Sequence, residues 1–419
     1  MNLETTLNDS AASSSCHTSS QIVTSTRILI TLCALTIIFG VVYSTNLGDR
    51  FLFADEKEYY GLAGNLASMQ RYTYSGQHPS VYRPPGYPLI LSVLRLFGAE
   101  LVHLRILNYV FLTGCMLLAY RMLKKRASGR AGTIAAIIIF CYPVLLYTAG
   151  TLYPTILASF LLLTTLHILT QPDLSAKNSI FAGLLFGFLI LTIPSFVFAL
   201  GVILIWLWFT QKKSRAKVVS LTLLAAALIC SIWITRNYIV FRSFVFISAN
   251  GGLNLILGNS EYTKPNSGYD VDISAYYRNT LKMNDIERDD YYKKKAIEYV
   301  LNHKAQSIKL YALKALNYFN FTSGTDTSIL KNQSANILML VTYGPILTLF
   351  ILRLASFRRR PLTPFEWILV ILYLSNALFS AIFFTRIRFR LPYDFLIILV
   401  VALYLDSFLL SRRKRTFNN

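Results

Sequence analysis

The chain is predicted to be an all-α polytopic membrane protein with about ten transmembrane helices, and three features of the sequence carry that prediction. Hydrophobic residues make up 54% of 419 residues. They are gathered into repeated runs of spanning length, which a soluble core does not require. The net charge is +21, but the cations cluster in short loops between the apolar runs. That is the bias of cytoplasmic loops, and it leaves no basic soluble domain to bind nucleic acid.

Residues 1–26 are rich in Ser and Thr, lack apolar periodicity and read as a disordered tail. The first span, about 27–45, is too long for a signal-peptide core and reads as a retained helix. Residues 46–102 form the first outer loop. Further spans fall near 103–121, 131–150, 152–169, 179–193, 195–210 and 218–235. An outer segment, 236–335, precedes spans near 336–354, 364–384 and 392–410, and a basic tail, 411–419, ends the chain. Counting ten spans puts Arg121 to Arg130, Lys212 to Lys217, Arg358 to Arg360 and Arg412 to Arg415 all on the cytoplasmic side. Both termini then lie there, and both large polar segments share the opposite face. Merging 179–193 with 195–210 would put the later clusters on the wrong side.

The five cysteines show no Cys-x-x-Cys or Cys/His ligand spacing, which argues against a disulfide framework and a zinc site. In the outer segment, Asn250-Gly251-Gly252, Gly258-Asn259 and Pro265-Asn266-Ser267-Gly268 carry turn chemistry. Residues 285–321 read as one amphipathic helix, with Ile297, Leu301, Ile308, Leu313 and Leu316 on its apolar face. Such a helix suits a membrane surface or the packing of a small mixed outer domain; both readings stand.

The first outer loop is predicted to be helical, and it holds the candidate chemistry. Asp55-x-x-Glu58 precedes Tyr59, Leu62, Ala63 and Leu66, the pattern of a capping box, and Asp55 is equally a candidate proton acceptor. Glu56 is its neighbour; adjacent helical residues face different ways, so the two should not share a proton. Arg83 sits in Tyr82-Arg83-Pro84-Pro85-Gly86-Tyr87-Pro88. Pro84 makes the preceding residue extended, and Pro85-Gly86 suits the centre of a type II turn. A guanidinium fixed in this way matches phosphate oxygens, and an arginine snorkelling to the interface is the plain alternative. Tyr59, Tyr60, Tyr82 and Tyr87 suit stacking on a sugar or an interfacial aromatic belt. Near the other end, Thr385-Arg386-Ile387-Arg388-Phe389-Arg390-Leu391-Pro392 puts three arginines on the outer face, against the charge bias. A lipid phosphate or anionic headgroups would account for them.

In this order, the residues resemble the GT-C fold of membrane glycosyltransferases, above all the bacterial branch related to protein O-mannosyltransferases and the lipid A aminoarabinose transferase. The likeness rests on Asp55-Glu56 with Tyr59 or Tyr60, on Arg83-Pro84-Pro85-Gly86-Tyr87-Pro88, and on Trp233-Ile234-Thr235-Arg236-Asn237-Tyr238. It is continued by Gly251-Gly252-Leu253-Asn254, Gly258-Asn259 and Arg388-Phe389-Arg390-Leu391-Pro392. It covers most of residues 27–410, with a GT-C-like module at 27–235. The resemblance implies transfer of a sugar from a polyprenyl-phosphate carrier to a glycan, lipid or protein acceptor, with inversion, at the outer face of a bacterial inner membrane. It implies Asp55 as base with Glu56 second, and Arg83, Arg388 and Arg390 on the donor phosphate. Tyr59, Tyr60, Tyr82, Tyr87, Asn254 and Asn259 would bind substrate. No cofactor is required, although an acidic pair near a phosphate suits a divalent cation. Two departures stand out: Ile193 precedes Pro194 where relatives often have arginine, and Thr151-Leu152-Tyr153-Pro154 lacks an acidic residue common there. The rival classes are a non-catalytic transporter or partner for lipid-linked glycans, and a polymerase or ligase of such glycans.

Overall fold

The computed structural model describes residues 4–322 and 333–417; the remainder of the predicted tail, outer segment and basic C-terminus lies outside the described residues. The chain runs through α1 (Glu4–Leu47), α2 (Ala54–Met69), α3 (Gly86–Leu96), α4 (Leu101–Arg126), α5 (Gly129–Phe140), α6 (Pro143–Ala149), α7 (Thr155–Leu169), α8 (Ala176–Thr192), α9 (Phe196–Thr210) and α10 (Arg215–Phe241). An outer group follows: α11 (Gly251–Gly258), α12 (Ser274–Arg278), α13 (Asp285–Asn302) and α14 (Lys304–Asn317). The chain ends in α15 (Gln333–Ala355), α16 (Pro364–Ser380) and α17 (Ile387–Phe417).

Five helices are long and apolar enough to cross a bilayer: Thr24–Leu47, Leu101–Arg126, Arg215–Phe241, Asn336–Arg358 and Ile387–Leu410. The helix of Thr24–Leu47 extends back to Glu4, through residues read from sequence as an irregular tail. Once a helix has nucleated on an apolar stretch, adding Ser, Thr and Ala residues to its end costs little per residue. α5 and α6 form a bent pair at 66°. Pro143 at the start of α6 has no N–H to continue the α5 ladder, which breaks the helix there. α7, α8, α9 and α16 are apolar but only 15, 17, 15 and 17 residues long. That is about 23–26 Å of rise, short of the ~30 Å hydrocarbon core.

α17 is the axis of the bundle, packed by α5, α7, α15 and α16. Residues Leu396 to Ala402 are without exposure on every face, as expected of a helix apolar all round. Deeper polar groups are paired: Arg390 meets Asp394 one turn on at 3.0 Å, and Tyr142 donates to Asp394 Oδ2 at 2.9 Å.

The outer segment differs from the sequence reading in three ways. No strand occurs among the described residues, and the isolated bridge Thr73–Pro79 lies in the first loop, so the described part is helical where a mixed domain was expected. Asn250-Gly251-Gly252, read as turn chemistry, instead opens α11, with Asn at the favoured N-cap position. The single helix expected over 285–321 is two, broken at His303, whose ψ of 49° leaves the helical range. α13 is capped by Asn284, which accepts from the amides of Ile286 and Glu287, both at 3.0 Å.

Lys314 on α14 faces inward and is fully buried. Its Nζ donates to Gly258 O at 2.8 Å, Phe383 O at 2.7 Å and Asn259 Oδ1 at 3.2 Å. Burial pulls its pKa down to about 7, whereas three acceptors match the three donors of the ammonium form. The lysine thereby ties α11 and α14 to the turn between α16 and α17.

Gly86 explains one motif differently from the sequence reading. It is not in the left-handed conformation that a type II turn needs, and Pro85 has ψ −21°, so Pro85 caps α3 instead. Glycine is required because a Cβ there would lie 2.6 Å from Thr192 N and 2.5 Å from Thr192 Oγ1, against the last turn of α8. Gly86→Ala should therefore lower the thermal midpoint of the detergent-solubilised protein by the equivalent of about 1–3 kcal/mol. Gly61→Ala, inside α2 where a Cβ meets nothing within 4 Å, is the control and should raise it slightly, by the equivalent of about 0.5–1 kcal/mol.

Candidate active site

The candidate site forms where the N-terminus of α2 meets the loop before α3, the α6–α7 turn and the start of α17. α2 begins at Ala54, which makes Phe53 the N-cap and Glu56 the third helical residue. The expected capping box on Asp55 and Glu58 is therefore shifted by two residues. Glu56 Oε2 accepts from Leu52 N at 2.6 Å, and Oε1 accepts from Leu152 N at 2.7 Å. Arg105 stands 3.7 Å from Glu56, and neither side chain is exposed. Arg105 also donates to Gly48 O at 2.6 Å and to Arg50 O. Glu56 thus stitches the end of the first loop to the α6–α7 turn and faces the core.

Asp55 is freed from capping and points the other way. Its Oδ1 receives Arg83 Nη2 at 2.6 Å, and its Oδ2 receives Tyr153 Oη at 3.1 Å and Arg388 Nη1 at 3.3 Å. Burial by itself would raise the Asp55 pKa, but Arg83, Arg388 and the Tyr153 hydrogen bond together hold it below its ordinary 3.8. The carboxylate is therefore ionised at neutral pH. As a folded-state pKa that is depressed, its stabilising contribution is present above the ordinary value and lost as pH falls through the lowered one.

Arg83 lies between two carboxylates, since its Nε donates to Glu58 Oε2 at 2.6 Å. Asp55 and Glu58 are three residues apart on one helix face and so can hold one guanidinium between them. The Arg83 backbone is fixed as well: Tyr72 Oη donates to the carbonyls of Arg83 and Pro84 at 3.0 and 3.1 Å. Tyr72 packs edge-on against Trp233, and Arg236 donates to Ser80 O at 3.0 Å, so the end of α10 braces the loop.

A cavity of about 410 Å³ opens against Asp55. Asp55, Tyr153, Tyr269, Arg386 and Arg388 stand together on its wall; Val144, Met339, Ile387 and Leu391 line the rest, interspersed with threonines and asparagines such as Thr148 and Asn317. Nε of Arg386 and Nε of Arg388 are buried without an acceptor. The cavity is thus amphiphilic, with cations at one end.

Of the residues singled out from sequence, Asp55 and Arg388 line this cavity, while Arg83 binds Asp55 from behind. Arg390 is fully buried away from it, donating to Tyr318 O and Asn320 O and lying 3.5 Å from the Tyr343 ring centroid. Tyr59 is buried under the Arg83 guanidinium, and Tyr87 hydrogen-bonds Asn108 in the core. Tyr60 accepts from Arg95, outside the cavity lining. Asn259 is occupied by Lys314, Leu255 O and Ile382 O, and Asn254 lines neither this cavity nor a second one described below. Tyr82 lines that second cavity. Tyr153, Tyr269 and Glu58 were missed as site residues. Only Glu58 carried a usable signal, its spacing from Asp55.

No family model matches the chain, and no curated protein does. Solved structures do. The archaeal oligosaccharyltransferase AglB from Archaeoglobus fulgidus, in complex with an inhibitory peptide and a dolichol-phosphate, aligns at TM-score 0.52 and 14% identity, over 93% of this chain and 51% of that one. The A. fulgidus oligosaccharyltransferase tethered to an acceptor peptide containing the NVT sequon gives 0.53 at 14%, over 93% and 50%. ArnT from Cupriavidus metallidurans bound to undecaprenyl phosphate gives 0.48 at 13%, over 90% and 60%. The chain spans about half the length of the oligosaccharyltransferases it matches. These likenesses establish the fold: the protein has the GT-C architecture of membrane glycosyltransferases.

Because Glu56 is structural by this geometry, Glu56→Ala should lower the thermal midpoint strongly, by the equivalent of about 3–5 kcal/mol for breaking a buried charge pair. Asp55→Asn should lower it far less, since Arg83 keeps Glu58.

Proposed function

We propose that the protein transfers a sugar from a polyprenyl-phosphate carrier to an acceptor hydroxyl, using Asp55 as base. The observation that carries this reading is an ionised carboxylate held opposite Arg388 at the cationic end of a cavity whose surface is mostly apolar. An isoprenoid chain suits the apolar part, and its phosphate suits Arg388 and Arg386, whose Nε atoms lack acceptors. The Asp55–Arg388 contact, at 3.3 Å, is the weaker of the two ion pairs on Asp55 and the one a phosphate would displace.

The acceptor oxygen then attacks the anomeric carbon as its proton passes to Asp55. The bond from that carbon to the phosphate oxygen breaks with its electron pair leaving on the phosphate, which Arg388 stabilises. Arg83, cast from sequence as the phosphate clamp, already serves two carboxylates and is not among the cavity-lining residues, so this reading gives it the task of aiming Asp55. Arg390 and Glu56 become supports rather than reactive groups. A divalent cation does not suit this site. Oxygen-rich coordination is needed, whereas Asp55 is surrounded by guanidinium groups, and no three of His, Cys, Asp and Glu cluster among the described residues. The same reading keeps ten spans, with the short helices crossing a locally thinned region, the site on the outer face of a bacterial inner membrane and both termini cytoplasmic.

Lipid mass spectrometry on null cells complemented with wild type or Asp55→Asn, at matched protein levels, tests the reading. A polyprenyl-phosphate sugar should accumulate in the null and in Asp55→Asn and clear with wild type, the variant losing about 10²–10⁴-fold in transfer. An Asp55→Asn strain with the wild-type lipid pattern would overturn it.

With the purified enzyme, the acid limb of kcat/KM should lie below the ordinary carboxylate value, because the free enzyme holds Asp55 ionised. The product should carry the anomeric configuration opposite to the donor's, as single-displacement chemistry demands, and NMR of the product reads it directly.

A further inference from the structure

A second cavity, of about 380 Å³, lies between the first outer loop and the outer helices. Its volume falls within the ~300–1,000 Å³ of small-molecule sites. Glu58 and Tyr82 come from the first loop, and Tyr277, Asp285, Arg288 and Asp289 from α12 and α13. The two cavities share one ion chain: Asp55 lines the first, Glu58 lines the second, and Arg83 bonds both at 2.6 Å.

The walls of the second cavity are well built. Asp289 accepts from Gly252 N at 2.5 Å and pairs with Lys293, which fixes α13 against the start of α11. Arg288 donates to Met283 O at 3.1 Å, while its Nε is buried with no acceptor. Tyr82 lies under the Arg83 guanidinium, 5.2 Å from ring centroid to Cζ. Flat aromatic faces with polar tips alternate here with carboxylates and one guanidinium. Aliphatic side chains are limited to Ala249, Leu253 and Ile273, and tyrosine rings supply the rest of the apolar wall.

We propose that this second cavity holds the acceptor and that the acceptor is a glycan. The inference rests on the sugar-transfer reading given above. Tyrosine faces stack on the C–H faces of a sugar ring, while carboxylates accept from, and Arg288 donates to, its hydroxyls. An acyl chain would find too little apolar wall. An extended peptide would find no strand edge to pair with among the described residues. Arg83, bonded to a carboxylate of each cavity, sets the second cavity beside the first.

Two binding measurements on the full-length protein in nanodiscs test this. The first is titration with a polyprenyl phosphate, for wild type, Arg388→Ala, Tyr277→Ala and Asp285→Asn. The second is saturation-transfer NMR with neutral oligosaccharides released from the host envelope. Polyprenyl phosphate should bind wild type, Tyr277→Ala and Asp285→Asn alike and lose at least tenfold in Arg388→Ala. Oligosaccharide signals should appear with wild type and Arg388→Ala and fall at least tenfold in the two second-cavity variants. If the phosphate binds as expected but oligosaccharides give no signal, or one indifferent to Tyr277 and Asp285, the glycan inference fails and the donor reading stands. If polyprenyl phosphate does not bind, the transfer reading fails, and with it the assignment of any acceptor.

Discussion

One guanidinium shared by two carboxylates organises this protein's outer face. Arg83 holds Asp55 and Glu58 at equal distance, and almost every nearby element bears on keeping it there. Pro84 and Pro85 stiffen its backbone, Tyr72 ties its carbonyl, and the end of α10 braces the same loop through Trp233 and Arg236. A charge so enclosed is tolerable only because two carboxylates accept from it. This coupling also explains the low pKa of Asp55. Preorganisation of this kind fixes the orientation of the Asp55 carboxylate at the cavity wall.

The division of labour between Asp55 and Glu56 follows from helix geometry. Adjacent residues on α2 diverge by about 100°, so one carboxylate enters the cavity while the other enters the core. The core-facing one saturates its acceptors with backbone amides and Arg105, leaving Asp55 as the acidic residue at the cavity that faces Arg388.

Much of this arrangement was legible in the sequence. Apolar runs and loop charges marked the membrane helices, and the arginines before the last span stood out because they broke the charge bias. The sequence reading assigns Arg388 and Arg390 alike to a donor phosphate beside Arg83; the geometry brings Arg388 to Asp55 and buries Arg390 elsewhere. Other features depended on contacts that local pattern cannot encode. Glu56 is stapled to an amide 96 residues away, and Asp55 meets an arginine 333 residues away. Pro85-Gly86 has the composition of a turn, but the glycine answers to the backbone of α8. Lys314 looks like one more surface lysine of a basic helix; only the convergence of Gly258 and Phe383 carbonyls makes it a buried clamp.

The Glu56 staple has a mechanical consequence. A carboxylate bonded to both sides of the α2 entry makes that end of the first loop a fixed jaw, unable to swing without leaving buried charges unpaired. The opposing wall, from Tyr269 to Asn320, is tied to the bundle as well: Arg390 donates to Tyr318 O and Asn320 O, Asn317 to Thr385 O, and Lys314 to Phe383 O, while Asp270 pairs with Arg386. The cavity is thus held by the bundle from both sides, and its outline is set by buried bonds on each wall.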